Sequence, residues 1–355
     1  MNNSQMEAPQ TIPSLKSALD GRFLPKVGVV IPTYERPLML RRLLNSLARQ
    51  TYPSDRVAVV VVGGDRDPAG DVVRDFASSV SFPVVYHIVD NEQQRSVSLK
   101  RNTGARIVSG DILAFVDDDC EADPNWISAA VPVFEDPRVG GVEGSIHIPL
   151  PDRPTPTYRA SLRLSVQQGY RTGNIFYRRT TFNECGGFDE SLPYFEDTDL
   201  GCTVIGRGYS IPFVREAVVS HAVHSGRPLW HLIMARAADQ IPYLFAKHSD
   251  VKPLLRKSIH LFNRSHYVYL SLYVLALLFA LRGAVAGIVV VGTMLPLLVG
   301  IQLTRQWSGL HFTLRELLGA ALVLPLVPLV RLAYWAKGSV EMRLGMRDRS
   351  RPAKR

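Results

Sequence analysis

A chain of 355 residues with net charge +9 and 46% hydrophobic residues has room for one large domain or two ordinary ones. Its mean hydropathy of +0.04 is high for a purely soluble enzyme and points to membrane-embedded segments. Three cysteines, Cys120, Cys185 and Cys202, form no framework spacing, which argues against a disulfide scaffold and for a reducing compartment.

Residues 1–26 are polar, carry no apolar stretch of secretory-signal length, and read as a loosely ordered leader. Val27 to Ile31 reads as a buried strand ending at Pro32. Leu40, Leu43, Leu44 and Leu47 recur at helical spacing, so Pro37 to Arg49 is an amphipathic helix with proline in its first turn. Val57 to Val62 and Pro83 to Val89 are two further strands. Ser96 to Val108 is helical, Ile112 to Val116 is a fourth strand, and Pro124 to Phe134 a third helix. This alternation predicts an α/β fold, a mainly parallel sheet flanked by helices, with residues 27–144 as one half of a domain and 145–256 as the other. The second half holds short strands at Ser210 to Val214 and Ala217 to Val219, then His221 and His224, then one long helix from Pro228 to His248.

From residue 257 to 336 the composition turns apolar. Tyr267 to Leu281 is fifteen residues without a charge, Gly283 to Thr304 is twenty-two, and Leu317 to Val330 is fourteen, extensible to Trp335. About twenty apolar residues span a bilayer, so these read as transmembrane helices, with buried core helices as the alternative. The tail, 337–355, carries seven basic residues against two acidic ones and no aromatics. That suits an anionic membrane surface and excludes a nucleic-acid groove, which needs aromatics interleaved with the basic residues. A cytoplasmic tail and a catalytic part on the cytoplasmic face of the plasma or inner membrane require an even number of crossings, and two is the expectation.

The chemistry concentrates at Asp117-Asp118-Asp119, where the fourth strand opens into a loop. Ligands collect at the carboxyl ends of strands in open α/β sheets. Three adjacent acids repel unless something positive compensates, and oxygen ligands of this kind suit Mg²⁺ or Mn²⁺. The plainer alternative is a solvated acidic loop with Asp123 capping the next helix.

The ordered motifs resemble the family 2 glycosyltransferases, whose nucleotide-sugar fold is of the GT-A type. Pro32-Thr33-Tyr34-Glu35-Arg36-Pro37 is similar to the family's nucleobase loop, which usually has Asn where Glu35 stands. Arg101-Asn102-Thr103-Gly104-Ala105 looks like the helix before the metal strand, and Gly110 to Asp119 looks like the metal segment itself. Gly186-Gly187-Phe188-Asp189-Glu190, followed by Glu196-Asp197-Thr198-Asp199-Leu200, resembles the acceptor-side motif. The resemblance implies Asp117 and Asp119 as metal ligands with His221 as a further one, Asp118 on the donor, Asp197 as catalytic base, and Glu196 and Gly187 on the acceptor side. Arg95 and Arg101 would offset phosphate charge. One departure stands out: where the family commonly ends its second strand on aspartates, this chain has Gly63-Gly64, with Asp65 as the expected substitute.

The activity so implied moves a sugar from a nucleotide-sugar donor to a glycan or lipid-linked acceptor, with Mg²⁺ or Mn²⁺ and inversion at the anomeric carbon. A polyprenyl phosphate is the alternative acceptor, although basic residues for it are confined to Arg256, Lys257 and Arg264. A non-catalytic membrane scaffold is the rival class. A nucleotide oxidoreductase is disfavoured, because no glycine-rich fingerprint follows the first strand. Four local alternatives remain. Asp197 could cap a helix, His221 could be a satisfied strand-end histidine, Arg101 a surface residue, and Trp126 and Trp230 core rather than sugar-stacking groups.

Overall fold

The structure is a computed structural model that describes residues 24–90, 96–149, 169–222, 230–259, 261–307 and 314–346. Strands β1 (Val27–Pro32), β2 (Val57–Gly64), β3 (Val84–Val89) and β4 (Ile112–Phe115) are mutually parallel, in the order β3-β2-β1-β4. Their residues alternate between two cores. Val29, Ile31, Val59 and Val61 pack with Leu40, Leu43, Leu44 and Leu47 of α1 (Pro37–Leu47) and with α2 (Ala69–Ala77). Val30, Val60, Val62, Leu113 and Phe115 face the opposite side, towards α3 (Val97–Ile107). Strands buried on both faces read as continuous apolar runs, and this is why they are visible in the sequence.

The remaining strands are β5 (Cys120–Ala122), β6 (Gly141–His147), β7 (Ile175–Arg178) and β8 (Phe213–His221), which extend the sheet as β4-β7-β6-β8-β5. Here the expected mainly parallel sheet gives way to a mixed one. β7 runs antiparallel to both β4 and β6, and β5 antiparallel to β8, while β6 and β8 are parallel. Apolar periodicity reports which face a strand buries, not its direction. The two short strands expected over 210–219 are one strand, β8, kinked where the register against β6 shifts at Gly144/Ser145. The expected helix over 124–134 shortens to α4 (Trp126–Ala130) and a 3₁₀ turn with Pro132 near its start. α5 (Arg179–Glu184) and α6 (Glu196–Gly206) follow β7. Within the described residues, the long helix expected from Pro228 to His248 is divided into α7 (Trp230–Ala235), a 3₁₀ segment (Arg236–Gln240) and α8 (Ile241–Lys247), with Pro242 in the first turn of α8.

After α9 (Lys252–Ser258) come α10 (Arg264–Leu281), α11 (Val285–Trp307), α12 (Leu314–Val323) and α13 (Val327–Arg343). Among the described residues α10 is the one helix long and apolar enough to cross a membrane. Apolar side chains on α10 and α11 face outward, with Leu277 59%, Leu281 76%, Val285 69% and Leu297 61% exposed. The third apolar segment is not one helix: it breaks at Leu324–Leu326, between α12 and α13. α12 has 10 residues, which reach about 15 Å, half a hydrocarbon core.

α13 returns to the catalytic part and packs on α7, α8 and the 3₁₀ segment between them. Gly338 makes that approach possible, since a methyl group there would run into the Asp239 carbonyl oxygen. Gly338→Ala is therefore expected to destabilise the protein by about 1–3 kcal/mol, despite alanine's helix propensity. A lowered Tm in detergent would show it.

Candidate active site

Three adjacent carboxylates end β4, and each has its own partner. Asp118 is 3% exposed and accepts from the Thr33 hydroxyl at 2.8 Å and the Tyr34 amide at 3.4 Å. Burial pushes its carboxyl above the usual range, while Thr33 and Arg36 pull it back. Arg36 Nη1 donates to Asp118 Oδ1 at 3.1 Å and to Asp119 Oδ2 at 2.8 Å. Arg101 Nη2 donates to Asp117 Oδ1 at 2.7 Å. Two guanidiniums thus supply part of the compensation that clustered acids require.

Asp119 also meets His221. β5 runs antiparallel to β8 with Cys120 opposite His221, and the Ala222 amide donates to the Asp119 carbonyl at 2.9 Å. His221 Nδ1 donates to the Ala222 carbonyl at 2.8 Å, which turns Nε2 towards Asp119 Oδ1, 3.2 Å away. With metal–ligand bonds near 2.1 Å, adjacent ligands of an octahedral ion lie about 3 Å apart, so this spacing fits a divalent cation. The side chain of Asp117, 29% exposed, lies beside Gly173, where a Cβ would stand 3.5 Å from Oδ2. Carboxylate donors suit Mg²⁺ or Mn²⁺. Asp119, Cys120 and His221 have ligand atoms within 4.8 Å of one another.

The glycine turn and α6 carry the acceptor-side residues. Gly186 and Gly187 have φ of +84° and +72°, in the region that favours glycine. Asn102 clasps the turn: its Oδ1 accepts from the Phe188 amide at 2.9 Å, and its Nδ2 donates to the Phe188 carbonyl at 2.8 Å and to Glu190 at 2.9 Å. α6 starts at Glu196 after Phe195, which is left-handed at φ 64° and offers no side-chain cap. Asp197 is therefore the second residue of the helix rather than its cap, and its Oδ1 accepts from the Thr198 amide at 2.6 Å.

Loss of solvent, and then the neighbouring Glu196, push the Asp197 carboxyl up to about 7, against the pull of Thr198 and Arg101. Arg101 is buried, not a surface residue, and bridges two acids: Nη1 donates to Glu196 at 2.9 Å while Nη2 holds Asp117. One guanidinium thereby ties the carboxylate strand to the helix carrying Asp197. Asp199 serves the fold, pairing with Lys247 at 2.8 Å and His248 at 2.7 Å on and just after α8.

On the β1–β2 side, Pro32 closes β1, Thr33 is buried, and Glu35 has φ 53°. Gly63 and Gly64 remain in β2 paired with β3. A side chain at Gly63 would run into the Tyr86 hydroxyl, which donates to the Gly64 carbonyl at 2.7 Å. Asp65 is exposed, whereas Asp67 is buried and accepts from the Glu35 amide at 2.8 Å and the Ala69 amide at 3.0 Å. Lys100, also buried, donates to the Thr33 carbonyl at 2.6 Å and lies over the Tyr34 ring. Sequence reasoning missed both. The signals were an Asx-turn step, Asp67-Pro68-Ala69, and a lysine beside Arg101 on the same predicted helix.

Arg95 and His224 fall outside the described residues, as do the side chains of Trp230 and Lys257. Trp126 is core: fully buried, it donates to Asn174 Oδ1 at 2.7 Å. All three cysteines are free thiols.

This chain is similar to the glycosyltransferase AglE of Haloferax volcanii, 29% identical over 219 residues that span 59% of this chain and 70% of that one. It is 36% identical over 240 residues to the validoxylamine A glucosyltransferase of Streptomyces hygroscopicus subsp. limoneus, covering 57% of this chain and 52% of the relative. It is 30% identical over 183 residues to the glucosyl-dolichyl phosphate glucuronosyltransferase of Haloferax volcanii, covering 46% of this chain and 56% of the relative. The alignments thus span just over half the length of the last two. In fold it resembles the mannosyltransferase PcManGT of Pyrobaculum calidifontis, solved with GDP-Man and Mn²⁺, at TM-score 0.54 and 21% identity over 94% of this chain and 93% of that one. Residues 28–188 match the family model described as glycosyl transferase family 2, so that stretch carries a glycosyl transferase family 2 domain, and the chain is a transferase enzyme with a GT-A-like fold.

Proposed function

We propose that this protein is a membrane-anchored, inverting glycosyltransferase that moves a sugar from a nucleotide-diphospho-sugar to a lipid-linked glycan. The observation that carries the reading is the Arg101 bridge, whose guanidinium holds Asp117 at 2.7 Å and Glu196, the chain neighbour of Asp197, at 2.9 Å. Asp119 and His221, with Asp117, would hold Mg²⁺ or Mn²⁺. When bound, the cation supplies positive charge to the departing diphosphate.

The chain's own residues do the rest. The Thr33–Arg36 loop, backed by Asp67 and Lys100, and with Asp118 fixing its start, lines the side where the nucleotide would lie. Gly187, at positive φ and too close to Asn102 for a side chain, lets the acceptor-side turn form, and Glu196 and Arg101 orient the first turn of α6. Asp197 takes the proton of the acceptor hydroxyl. A carboxyl pushed up to about 7 is a stronger base than an ordinary aspartate and is still half ionised at neutral pH. A base on the face opposite the leaving group favours inversion.

Anchoring is supported by the outward apolar face of α10, 18 residues or about 27 Å against a core of about 30 Å, and by the shorter apolar stretch Val285–Val299 of α11 beside it. α13 packs on the catalytic part. That favours an even number of crossings, with α10 crossing outright and the shorter apolar stretch of α11 returning the chain, so that the basic tail and the active site are both cytoplasmic. The relative that acts on glucosyl-dolichyl phosphate supports a lipid-linked acceptor.

The test is a panel of nucleotide-sugars offered to membranes containing the full chain, with nucleoside diphosphate release measured with and without Mn²⁺. Metal-dependent release from one or a few donors is expected. No release from any donor, with or without acceptor lipid, would favour a scaffold.

A further inference from the structure

We propose that Cys120 makes the cation centre a trap for thiophilic divalent ions, Zn²⁺ and Cd²⁺, through a mixed carboxylate–thiolate–imidazole set formed by Asp119, Cys120 and His221. The inference rests on the reading that Asp119 and His221 hold the catalytic cation, and adds a ligand of opposite chemical character. The antiparallel register places Cys120 directly opposite His221 on β5 and β8, and Asp119 is its chain neighbour. Ligand atoms of all three lie within 4.8 Å of one another. Around a tetrahedral ion with bonds of about 2.0–2.3 Å, such atoms stand roughly 3.5 Å apart, so closure needs only a small side-chain shift.

Arg36 holds Asp119 at 2.8 Å, and burial beside Asp117 and Asp119 pushes the Cys120 thiol up, so the incoming cation itself must supply the charge that lets the sulfur ionise. The Cys120 thiol makes one long contact, to the Gly173 carbonyl at 3.8 Å. His221 is already oriented by its Nδ1 contact to Ala222, the kind of outer hydrogen bond that fixes a ligating imidazole. Binding breaks the Cys120 S–H bond and forms an S–metal bond, with one proton passing to solvent. Mn²⁺ and Mg²⁺, which prefer oxygen, leave the thiol protonated and use the carboxylates and imidazole. Soft ions recruit the sulfur and hold the site against exchange.

The experiment titrates Cd²⁺ into the full chain in detergent, following the ultraviolet thiolate-to-Cd²⁺ charge-transfer band and proton release in weak buffer. The band is expected in the wild type and in a Cys185→Ala/Cys202→Ala double variant, and absent in Cys120→Ser and Cys120→Ala. Cys120 substitution should weaken Cd²⁺ at least about tenfold while changing Mn²⁺ affinity by less than about threefold. A band that persists in both folded Cys120 variants, or that vanishes with Cys185 and Cys202, overturns the proposal. Mn²⁺ affinity of Asp119→Ala is measured in parallel. If it is unchanged, the catalytic-cation reading fails, whatever the Cd²⁺ band does.

Discussion

Asp119→Ala is expected to lower kcat by at least about 10³-fold, roughly 4 kcal/mol of transition-state stabilisation, because the departing diphosphate loses its cation. The carboxylate is buried between Arg36 at 2.8 Å and His221 at 3.2 Å. Removing a buried charge usually threatens the fold by leaving its partner stranded. Here Arg36 keeps Asp118 at 3.1 Å and its side chain is 43% exposed to water. Loss of one of three adjacent acids also relieves their repulsion. The variant should therefore fold, bind Mn²⁺ much more weakly by calorimetry, and release no measurable nucleoside diphosphate. Full activity would remove the metal assignment.

Asp197→Asn should cost about 10²–10⁴ in kcat, the usual range for a positioned base, with little change in Mn²⁺ affinity. Asparagine retains an oxygen to accept the Thr198 amide, so the first turn of α6 keeps its geometry. The pH dependence has a definite sign. A carboxyl near 7 is protonated below that value, so wild-type kcat/KM should fall as pH drops through about 7, and the residual activity of the variant should lose that limb. Stability runs the other way. The folded state holds the proton more tightly than an unfolded aspartate near 3.9, so wild-type stability declines as pH rises from about 4 to 7. The asparagine variant escapes that charging cost. Its stability advantage should be largest above pH 7 and fade towards pH 4, as denaturant titrations at several pH values would show.

The legible parts of this fold are those where one physical signal dominates. β1, β2 and β4 are apolar throughout because both faces are covered, and α1 shows its leucine stripe because one face is. β5 was not legible: three residues, Cys120–Ala122, carry no period. Yet its pairing with β8 brings His221 to Asp119. The reversal at β7 escaped for the reason that alternation is blind to strand direction. The 236–240 segment keeps near-helical spacing, so α7 and α8 read as one helix although Pro242 was in plain view. At the site, Asp117 to Asp119 announce themselves by composition. Asp67 and Lys100 do not, because their importance lies in the backbone of the Glu35 and Thr33 loop they hold. The Arg101 bridge is a long-range contact, 95 residues from Lys-adjacent α3 to Glu196, which no local pattern encodes.

The position of the cation and the donor relative to Asp197 decides whether this site transfers a sugar. A structure of the full chain with Mn²⁺ and a non-transferable nucleotide-sugar, with the manganese located by its anomalous signal, measures that. Manganese is expected about 2.1–2.2 Å from Asp119 and His221, with the anomeric carbon facing the Asp197 carboxylate across a gap that one hydroxyl fills. Manganese bound away from Asp119, or a donor sugar walled off from Asp197, would contradict that expectation.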